Sequence, residues 1–325
     1  MKRASPDFFM RDVFFVVGPT ATGKSELAAD LAREVGGEIV SADAFQIYRG
    51  LDLLTAKPDA TTLAKAPHHL VGTMSILDEM NAEKFRTLAL SAISEIHSRG
   101  KFAIVAGGSG LYLKALTHGL SVVPPADPDL RAQLNELSLA ELQKKLRELD
   151  PKSDVDLKNR RRVVRAIEIC LLSGKAASVQ RKEWNVVAAD VPIGSLPPGT
   201  AAATTRGVFV FRDRDDLYQR INERVEAMFE NGVIEEVRAA GAMSDTASKM
   251  IGLREIRELL EGKMSILQCV AAIQQATRRY AKRQLTWFRR QTNFEPLNLS
   301  LLSRVEAVER ISQFAKTLGV AQGND

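Results

Sequence analysis

The sequence contains little cysteine and no long hydrophobic run. Its 325 residues include only two cysteines, which excludes a disulfide-stapled scaffold or a four-cysteine zinc site and favours a reducing compartment. No apolar stretch reaches the roughly 18 residues of a membrane span. The segment before Val13 lacks the apolar core of a secretory signal. These absences predict a cytoplasmic protein that is not embedded in a membrane.

The composition is otherwise that of an ordinary globular protein with a small excess of positive charge. Hydrophobic residues make up 45% of the chain and charged residues 26%, which is enough to build a large core. At roughly 150 residues per domain, the length suggests two domains. The net charge is only +5, so the placement of the basic residues says more about partners than their number does.

Short hydrophobic runs alternate with amphipathic segments over much of the chain. They predict strands at residues 13–17, 38–42, 101–106 and 207–211, and helices at 25–35, 85–97, 216–232 and 266–290. This alternation is typical of an α/β fold with a doubly wound parallel sheet. Residues 121–204 differ, because they hold seven of the 12 prolines and two helical patterns, at 129–149 and 153–173. We therefore expect a core domain at 1–120 and 205–325, interrupted by a helical insertion domain at 121–204.

The turn after the first predicted strand matches a phosphate-binding loop. The pattern G-x-x-x-x-G-K-[ST] is formed by Gly18, Pro19, Thr20, Ala21, Thr22, Gly23, Lys24 and Ser25. Its glycines let backbone N–H groups converge on phosphate oxygens, and Lys24 adds a positive charge. The Ser25 hydroxyl is placed to bind Mg²⁺. The predicted core is therefore a sheet like that of the P-loop NTPases.

Asp43, at the end of the second predicted strand, is the candidate general base. A P-loop ATPase usually has an acidic residue after another apolar strand, whereas the strand at 101–106 runs into Gly107-Gly108-Ser109. The carboxyl ends of neighbouring parallel strands border the ligand crevice, so Asp43 should lie near the phosphate loop. It could accept a proton from a nucleophile that attacks the phosphorylated ligand. A helix cap or turn aspartate is the alternative.

Two basic segments with almost no acidic residues indicate a polyanionic partner. The first contains Lys158, Arg160, Arg161, Arg162 and Arg165, and the second contains Arg278, Arg279, Lys282, Arg283, Arg289 and Arg290. At helical spacing the second segment forms two adjacent stripes. Such stripes suit a phosphate backbone, although an ordinary solvated surface is the competing interpretation.

Several motifs occur in an order that resembles a known family. Besides residues 18–25 they are Ser41-Ala-Asp43, Gln46-Ile-Tyr48-Arg-Gly50, Thr55-Ala-Lys-Pro58, Pro67-His-His-Leu70, Gly107-Gly-Ser-Gly-Leu-Tyr112 and Thr277-Arg-Arg-Tyr-Ala-Lys-Arg-Gln-Leu-Thr-Trp287. Over residues 13–290 the sequence closely resembles the tRNA dimethylallyltransferase family, also called the tRNA isopentenyltransferases. The cysteine-poor tail resembles the bacterial type rather than members with a zinc-finger extension.

The resemblance implies a transfer reaction on tRNA. The family moves a dimethylallyl group from dimethylallyl diphosphate to the N6 amine of the adenosine 3′ of the anticodon. Asp43 would then accept the proton of the amine. Lys24 and the loop amides, with Mg²⁺ held by Ser25, would stabilise the leaving diphosphate. The expected partners are the tRNA anticodon stem-loop and dimethylallyl diphosphate, the expected cofactor is Mg²⁺, and the expected form is a cytoplasmic monomer.

The resemblance also assigns individual residues. It implies catalytic roles for Ser109 and Arg131, and a diphosphate contact for Arg224, with Arg220 as the alternative. It implies tRNA contacts for Asp43, Ala44, Phe45, Gln46, Arg161, Arg162, Val163, Val164, Arg165, Lys249, Met250, Ile251, Gly252, Leu253, Arg254, Lys282, Arg283, Gln284, Leu285, Thr286, Trp287, Phe288 and Arg289. The sequence departs from the family's pattern at Ala44, Ser109 and Leu253, where Ser, Thr and Tyr are usual.

Competing functions use parts of the same pattern. A P-loop small-molecule kinase or an isopentenyltransferase acting on free AMP would need the phosphate loop but not the basic segments. A non-catalytic RNA-binding module would need the basic segments but not Lys24, Ser25 and Asp43 together. His68 and His69 lack a third metal ligand at convincing spacing, so hydrogen bonding is expected there. We expect Cys170 and Cys269 to be core thiols, and Trp287 to be a packing residue.

Overall fold

The structure, a computed structural model, describes residues 13–120, 123–180, 207–291 and 293–317. The chain divides into two units, one formed by residues 1–117 and 196–325 and the other by residues 118–195. Within the described ranges, no helix combines the length and the hydrophobicity needed to cross a membrane.

The larger unit is built on a parallel sheet. Its strands are β1 (Val13–Val17), β2 (Glu38–Ser41), β3 (His68–His69), β4 (Ala103–Gly107), β5 (Gly207–Phe211) and β6 (Glu295–Asn298), in the order β3-β2-β4-β1-β5-β6. Every neighbouring pair is parallel. Strands β1, β2 and β4 are buried along their whole length, as expected for a sheet covered on both faces. The predicted P-loop NTPase-like α/β core is confirmed.

Helices connect these strands and form the second unit. They are α1 (Lys24–Val35), α2 (Ala60–Leu63), α3 (Ala82–Ser98), α4 (Gly110–His118), α5 (Pro128–Glu136), α6 (Leu139–Leu149), α7 (Arg160–Ser173), α8 (Arg214–Glu230), α9 (Val233–Ala239), α10 (Leu253–Leu260), α11 (Ile266–Phe288) and α12 (Arg304–Thr317), with a 3₁₀ turn at Ala247–Lys249. The helices predicted in the core correspond to α1, α3, α8 and α11, with ends that differ by at most three residues.

The tail after Gln291 completes the core, although the sequence analysis makes no prediction for it. Strand β6 pairs with β5 at the edge of the sheet. Its proline is tolerated there because, among the described residues, no strand pairs with the other side of β6. Helix α12 packs against α1 and buries Ile311 in the same apolar cluster as Leu31. Arg304 donates to Asp30 of α1 at 2.6 Å. These contacts depend on residues far apart in the chain, which local patterning does not reveal.

The second unit corrects one predicted helix. A single helix at 129–149 is wrong, because the chain forms α5 and α6 instead. A capping box starts α6: the Ser138 hydroxyl accepts from the Glu141 N–H at 3.3 Å, and the Glu141 carboxylate accepts from the Ser138 N–H at 2.7 Å. The helix predicted at 153–173 is α7, which begins later, after the cap formed by Asn159.

A buried carboxylate holds the second unit together. Glu168 of α7 is fully buried and accepts hydrogen bonds at 2.7 Å from Arg131 and from Arg165, and at 2.8 Å from the Asp127 N–H. Burial alone would raise the pKa of Glu168, but the hydrogen bonds from Arg165 and Arg131 outweigh it, so the pKa is lowered. The start of α5 is thereby fixed to α7.

We expect Glu168→Gln to destabilise the protein by about 2 kcal/mol near pH 7, because two partly buried arginines lose their anionic partner. The pKa of Glu168 is depressed by folding, so its contribution is complete above the ordinary value of 4.5 and disappears as the pH falls through the folded value. Thermal melts of wild type and variant, recorded at pH 7 and at a second pH well below 4.5, should therefore lie closer together at the lower pH. The exposed Glu148→Gln serves as a control, and an equal gap at both pH values would contradict the assignment.

Candidate functional site

Two arginines hold the carbonyl groups of the phosphate loop. Arg220 of α8 donates from Nε to the Ala21 carbonyl at 3.0 Å, and Arg212, which follows β5, donates from Nε to the Thr22 carbonyl at 2.9 Å. Arg212 is itself fixed by an ion pair with Asp216 at 2.9 Å. The sequence analysis names Arg220 only as an alternative ligand and misses Arg212, because neither belongs to a recognisable local motif.

The start of α1 provides the anion-binding end of the loop. Gly23 has a φ of +90°, a left-handed conformation that favours glycine, and α1 begins at the next residue, Lys24. The N–H groups in the first turn of a helix have no partner within it, and this end of the helix carries partial positive charge. The loop geometry therefore fits the predicted phosphate cradle.

An open cleft beside this loop contains two strongly desolvated cations. Its volume is about 620 Å³, and its lining includes Lys24, Asp43 and Arg224. Desolvation lowers the pKa of Lys24 to about 8, with Asp43 opposing this shift and Arg224 adding to it. Desolvation also lowers the pKa of Arg224 to about 10, and its buried Nε makes no hydrogen bond within the described chain. An anion bound beside Lys24 and Arg224 would offset the cost of desolvating these two cations.

Asp43 lies in the turn after β2, at the carboxyl end of the sheet. Its Oδ1 accepts from the N–H groups of Phe45 at 3.0 Å and Gln46 at 3.3 Å. Oδ2 makes no hydrogen bond with the residues that the structure describes. Asp43 thus stabilises a turn, as the alternative interpretation held, and also retains a carboxylate oxygen that can accept a proton.

A narrower chamber adjoins the cleft. It has a volume of about 60 Å³, and its largely apolar wall includes Leu54, Met228 and Ile273. Thr20, Asp43, Thr55, Ala56 and Arg224 line both cavities. The carboxylate of Asp43 therefore lies where the cleft that contains Lys24 meets the apolar chamber.

Ser109 links the Asp43 turn to helix α11. Its hydroxyl accepts from the Ala44 N–H at 3.0 Å, and its side chain is hydrogen-bonded to Tyr280. Burial, followed by the nearby Asp43 charge, raises the pKa of Tyr280 well above its ordinary value, so the phenol stays neutral. Tyr280 also lines the chamber. The sequence analysis quotes this tyrosine within a motif without a role, because nothing local distinguishes it from a core tyrosine.

Comparison with known proteins identifies the family. The model of the IPP transferase family matches residues 46–291. The tRNA dimethylallyltransferase 1 of Citrifermentans bemidjiense is 43% identical over 282 residues, which cover 85% of this chain and 88% of that protein. This chain belongs to the IPP transferase family. The resemblance drawn from the sequence motifs is confirmed.

Solved structures of this family share the fold. The full-length tRNA isopentenylpyrophosphate transferase of Bacillus halodurans superposes with a TM-score of 0.66 and 31% identity, over 95% of this chain and 96% of that one. A eukaryotic dimethylallyltransferase acting on tRNA superposes with a TM-score of 0.73, over 92% of this chain and 77% of that one. Its sequence identity is 24%, so this second likeness shows the fold alone.

The residues of this IPP transferase that were predicted to contact tRNA separate by exposure. The exposed ones are Arg161, Arg162, Lys249, Arg254, Lys282, Arg283, Thr286 and Arg289, and the buried ones are Val163, Val164, Met250, Gly252, Leu253, Gln284 and Phe288. The remaining members are half-buried. The buried side chains pack in the interior, and RNA contact by this set stays a prediction. Trp287 also packs, since its ring fills the space beside Gly110, where a Cβ would meet it at 2.7 Å.

The remaining polar candidates make internal contacts. His68 Nδ1 is hydrogen-bonded to the Ala66 carbonyl and His69 Nε2 to Glu38, as expected. Cys170 and Cys269 are buried, which confirms the predicted core thiols. Among the residues with described positions, no group of three or more His, Cys, Asp or Glu side chains could hold a metal ion.

The donor set nevertheless fits the predicted magnesium ion. Ser25 is half-buried and lines the same cleft as Asp43. Mg²⁺ is commonly held by one or two protein oxygens together with water and substrate phosphates. A hydroxyl beside a phosphate-binding loop meets that requirement without a cluster of protein carboxylates.

The affinity of this IPP transferase for a diphosphate should fall as the pH rises through about 8. Lys24 has a pKa of about 8 in the free protein, and only its protonated form attracts the anion. Calorimetric titration with dimethylallyl diphosphate between pH 6.5 and 9.5 measures this dependence. Lys24→Arg stays charged over that range and controls for titration of the ligand, so equal pH dependence in both proteins would contradict the role of Lys24.

Proposed function

We propose that this chain transfers a dimethylallyl group from dimethylallyl diphosphate to the N6 amine of the adenosine 3′ of the anticodon in tRNA. The observation that carries the proposal is that Asp43 lines both the cleft with the desolvated Lys24 and Arg224 and the adjoining apolar chamber. A donor with a charged diphosphate and a short apolar tail matches these two cavities. Relatives named tRNA dimethylallyltransferase, which match about 85% of the chain, support the same substrates.

The cleft binds the diphosphate of the donor. Lys24 and Arg224 neutralise its charge, and the N–H groups at the start of α1 donate hydrogen bonds to its oxygens. Ser25 would hold Mg²⁺ there, and the ion would supply further positive charge to the leaving group. The apolar chamber takes the dimethylallyl tail and excludes water, which would otherwise compete with the amine.

The transfer exchanges one bond for another. The lone pair of the adenine N6 forms a bond to C1 of the dimethylallyl group, and the bond between C1 and the diphosphate oxygen breaks. The electron pair of that bond leaves with the diphosphate, which Lys24 and Arg224 stabilise. Asp43 accepts the proton that the amine loses. The products are N6-isopentenyladenosine and diphosphate.

The acceptor base must leave its stack to reach Asp43, as in other enzymes that modify bases.

The exposed face of α11 offers a surface for the surrounding RNA, because an open recess of about 410 Å³ is lined by Arg279, Lys282, Arg283 and Thr286. Arg161 and Arg162 are exposed on α7, and we assign the insertion at 121–204 a second tRNA contact. We also propose that the enzyme acts as a cytoplasmic monomer.

The proposal is tested by offering the purified protein an anticodon stem-loop and, separately, free AMP as acceptors. With Mg²⁺ and labelled dimethylallyl diphosphate, we expect label on an unmodified anticodon stem-loop that has adenosine 3′ of its anticodon. A stem-loop with guanosine at that position is the matched control and should remain unlabelled. Label on free AMP alone would favour a free-nucleotide enzyme, and label on neither acceptor would refute the proposal.

A further inference from the structure

Gln284 joins the two loops that border the candidate site. It lies on the inner face of α11 and is only 7% exposed. Its Oε1 accepts from the Thr20 N–H at 2.9 Å, and its Nε2 donates to the Gly108 carbonyl at 2.8 Å. One side-chain amide thus connects the phosphate loop after β1 with the turn after β4 that carries Ser109.

The packing around this amide is tight. A Cβ on Gly108 would lie 2.4 Å from Nε2 of Gln284 and 2.7 Å from the Gly18 carbonyl, so only glycine allows the amide to reach both partners. The Gly18 N–H also donates to the Gly107 carbonyl at 3.2 Å. Helix α11, the phosphate loop and the Gly108 turn therefore meet at the side chain of Gln284.

This arrangement fixes the loop before a ligand arrives. Gln284 accepts a hydrogen bond from the Thr20 N–H, so this group is already paired. The N–H groups in the first turn of α1 remain available for an anion. A backbone that is already ordered loses less entropy on binding, so a preorganised loop binds its ligand more tightly. Without the amide, the half-buried Thr20 N–H would lose its partner within the protein, or the loop would move to satisfy it.

We propose that Gln284 is a positioning residue for the diphosphate donor and not a contact for RNA. It acts through the phosphate loop and the Gly108 turn, while RNA would meet the exposed side chains of α11 at Lys282 and Arg283. The inference rests on the proposed function, because it takes the ligand of the loop to be a diphosphate.

The test replaces the amide without creating a cavity. Gln284→Met keeps the approximate volume and removes both hydrogen bonds, so dimethylallyl diphosphate should bind about tenfold more weakly in calorimetry without RNA. The affinity for the anticodon stem-loop, measured by fluorescence anisotropy, should stay within about twofold of wild type. Gln313→Met makes the same change at an exposed position on α12 and should alter neither affinity.

Each outcome bears on the inference. A Gln284→Met protein that binds dimethylallyl diphosphate like wild type, or that loses RNA affinity instead, overturns it and leaves the proposed function intact. Wild-type protein that fails to bind the donor overturns both. Should Gln284→Met fail to fold, Gln284→Asn keeps the amide on a side chain one CH₂ shorter, which cannot span both partners. We expect the same selective loss of donor affinity from it.

Discussion

Two cations share one carboxylate at the centre of this protein. Desolvation lowers the pKa of Lys24 to about 8 and that of Arg224 to about 10, and Asp43 supplies one negative charge to both. Burying more positive than negative charge is unfavourable, and a bound diphosphate would restore the balance. Other side chains of the larger unit hold the phosphate loop beside these charges. Arg212, Arg220 and Gln284 each hydrogen-bond to its backbone.

The parallel sheet brings these loops together. The phosphate loop follows β1, Asp43 follows β2, Ser109 follows β4 and Arg212 follows β5, and these four strands are adjacent in the order β2-β4-β1-β5. Because parallel strands present their carboxyl ends at one edge, the phosphate loop and the Asp43 turn line the same cleft. Ser109 and Arg212 hydrogen-bond to these two loops at Ala44 and Thr22. Helix α11 then closes the arrangement with Tyr280 and Gln284. The fold therefore determines which residues meet, and the loops determine the chemistry.

The sequence predicts the parts of this site that depend on local patterns. The phosphate loop is a contiguous motif, and Asp43 follows a recognisable buried strand, so both are predictable along with the α/β core. The bracing residues are not, because their roles arise only from folding. Gln284 lies 264 positions from Thr20 and 176 from Gly108, and its spacing on α11 is equally typical of an RNA-contacting face. Burial, which a single sequence does not show, separates the two interpretations.

The measurement that tests the account most directly is single-turnover transfer by Asp43→Asn. This change keeps the side-chain size and an oxygen for the turn, but removes the group that accepts the proton of the amine. The account predicts that transfer slows by about a hundredfold or more, while the affinities for dimethylallyl diphosphate and the anticodon stem-loop change only a few-fold. Transfer at a near wild-type rate would contradict it.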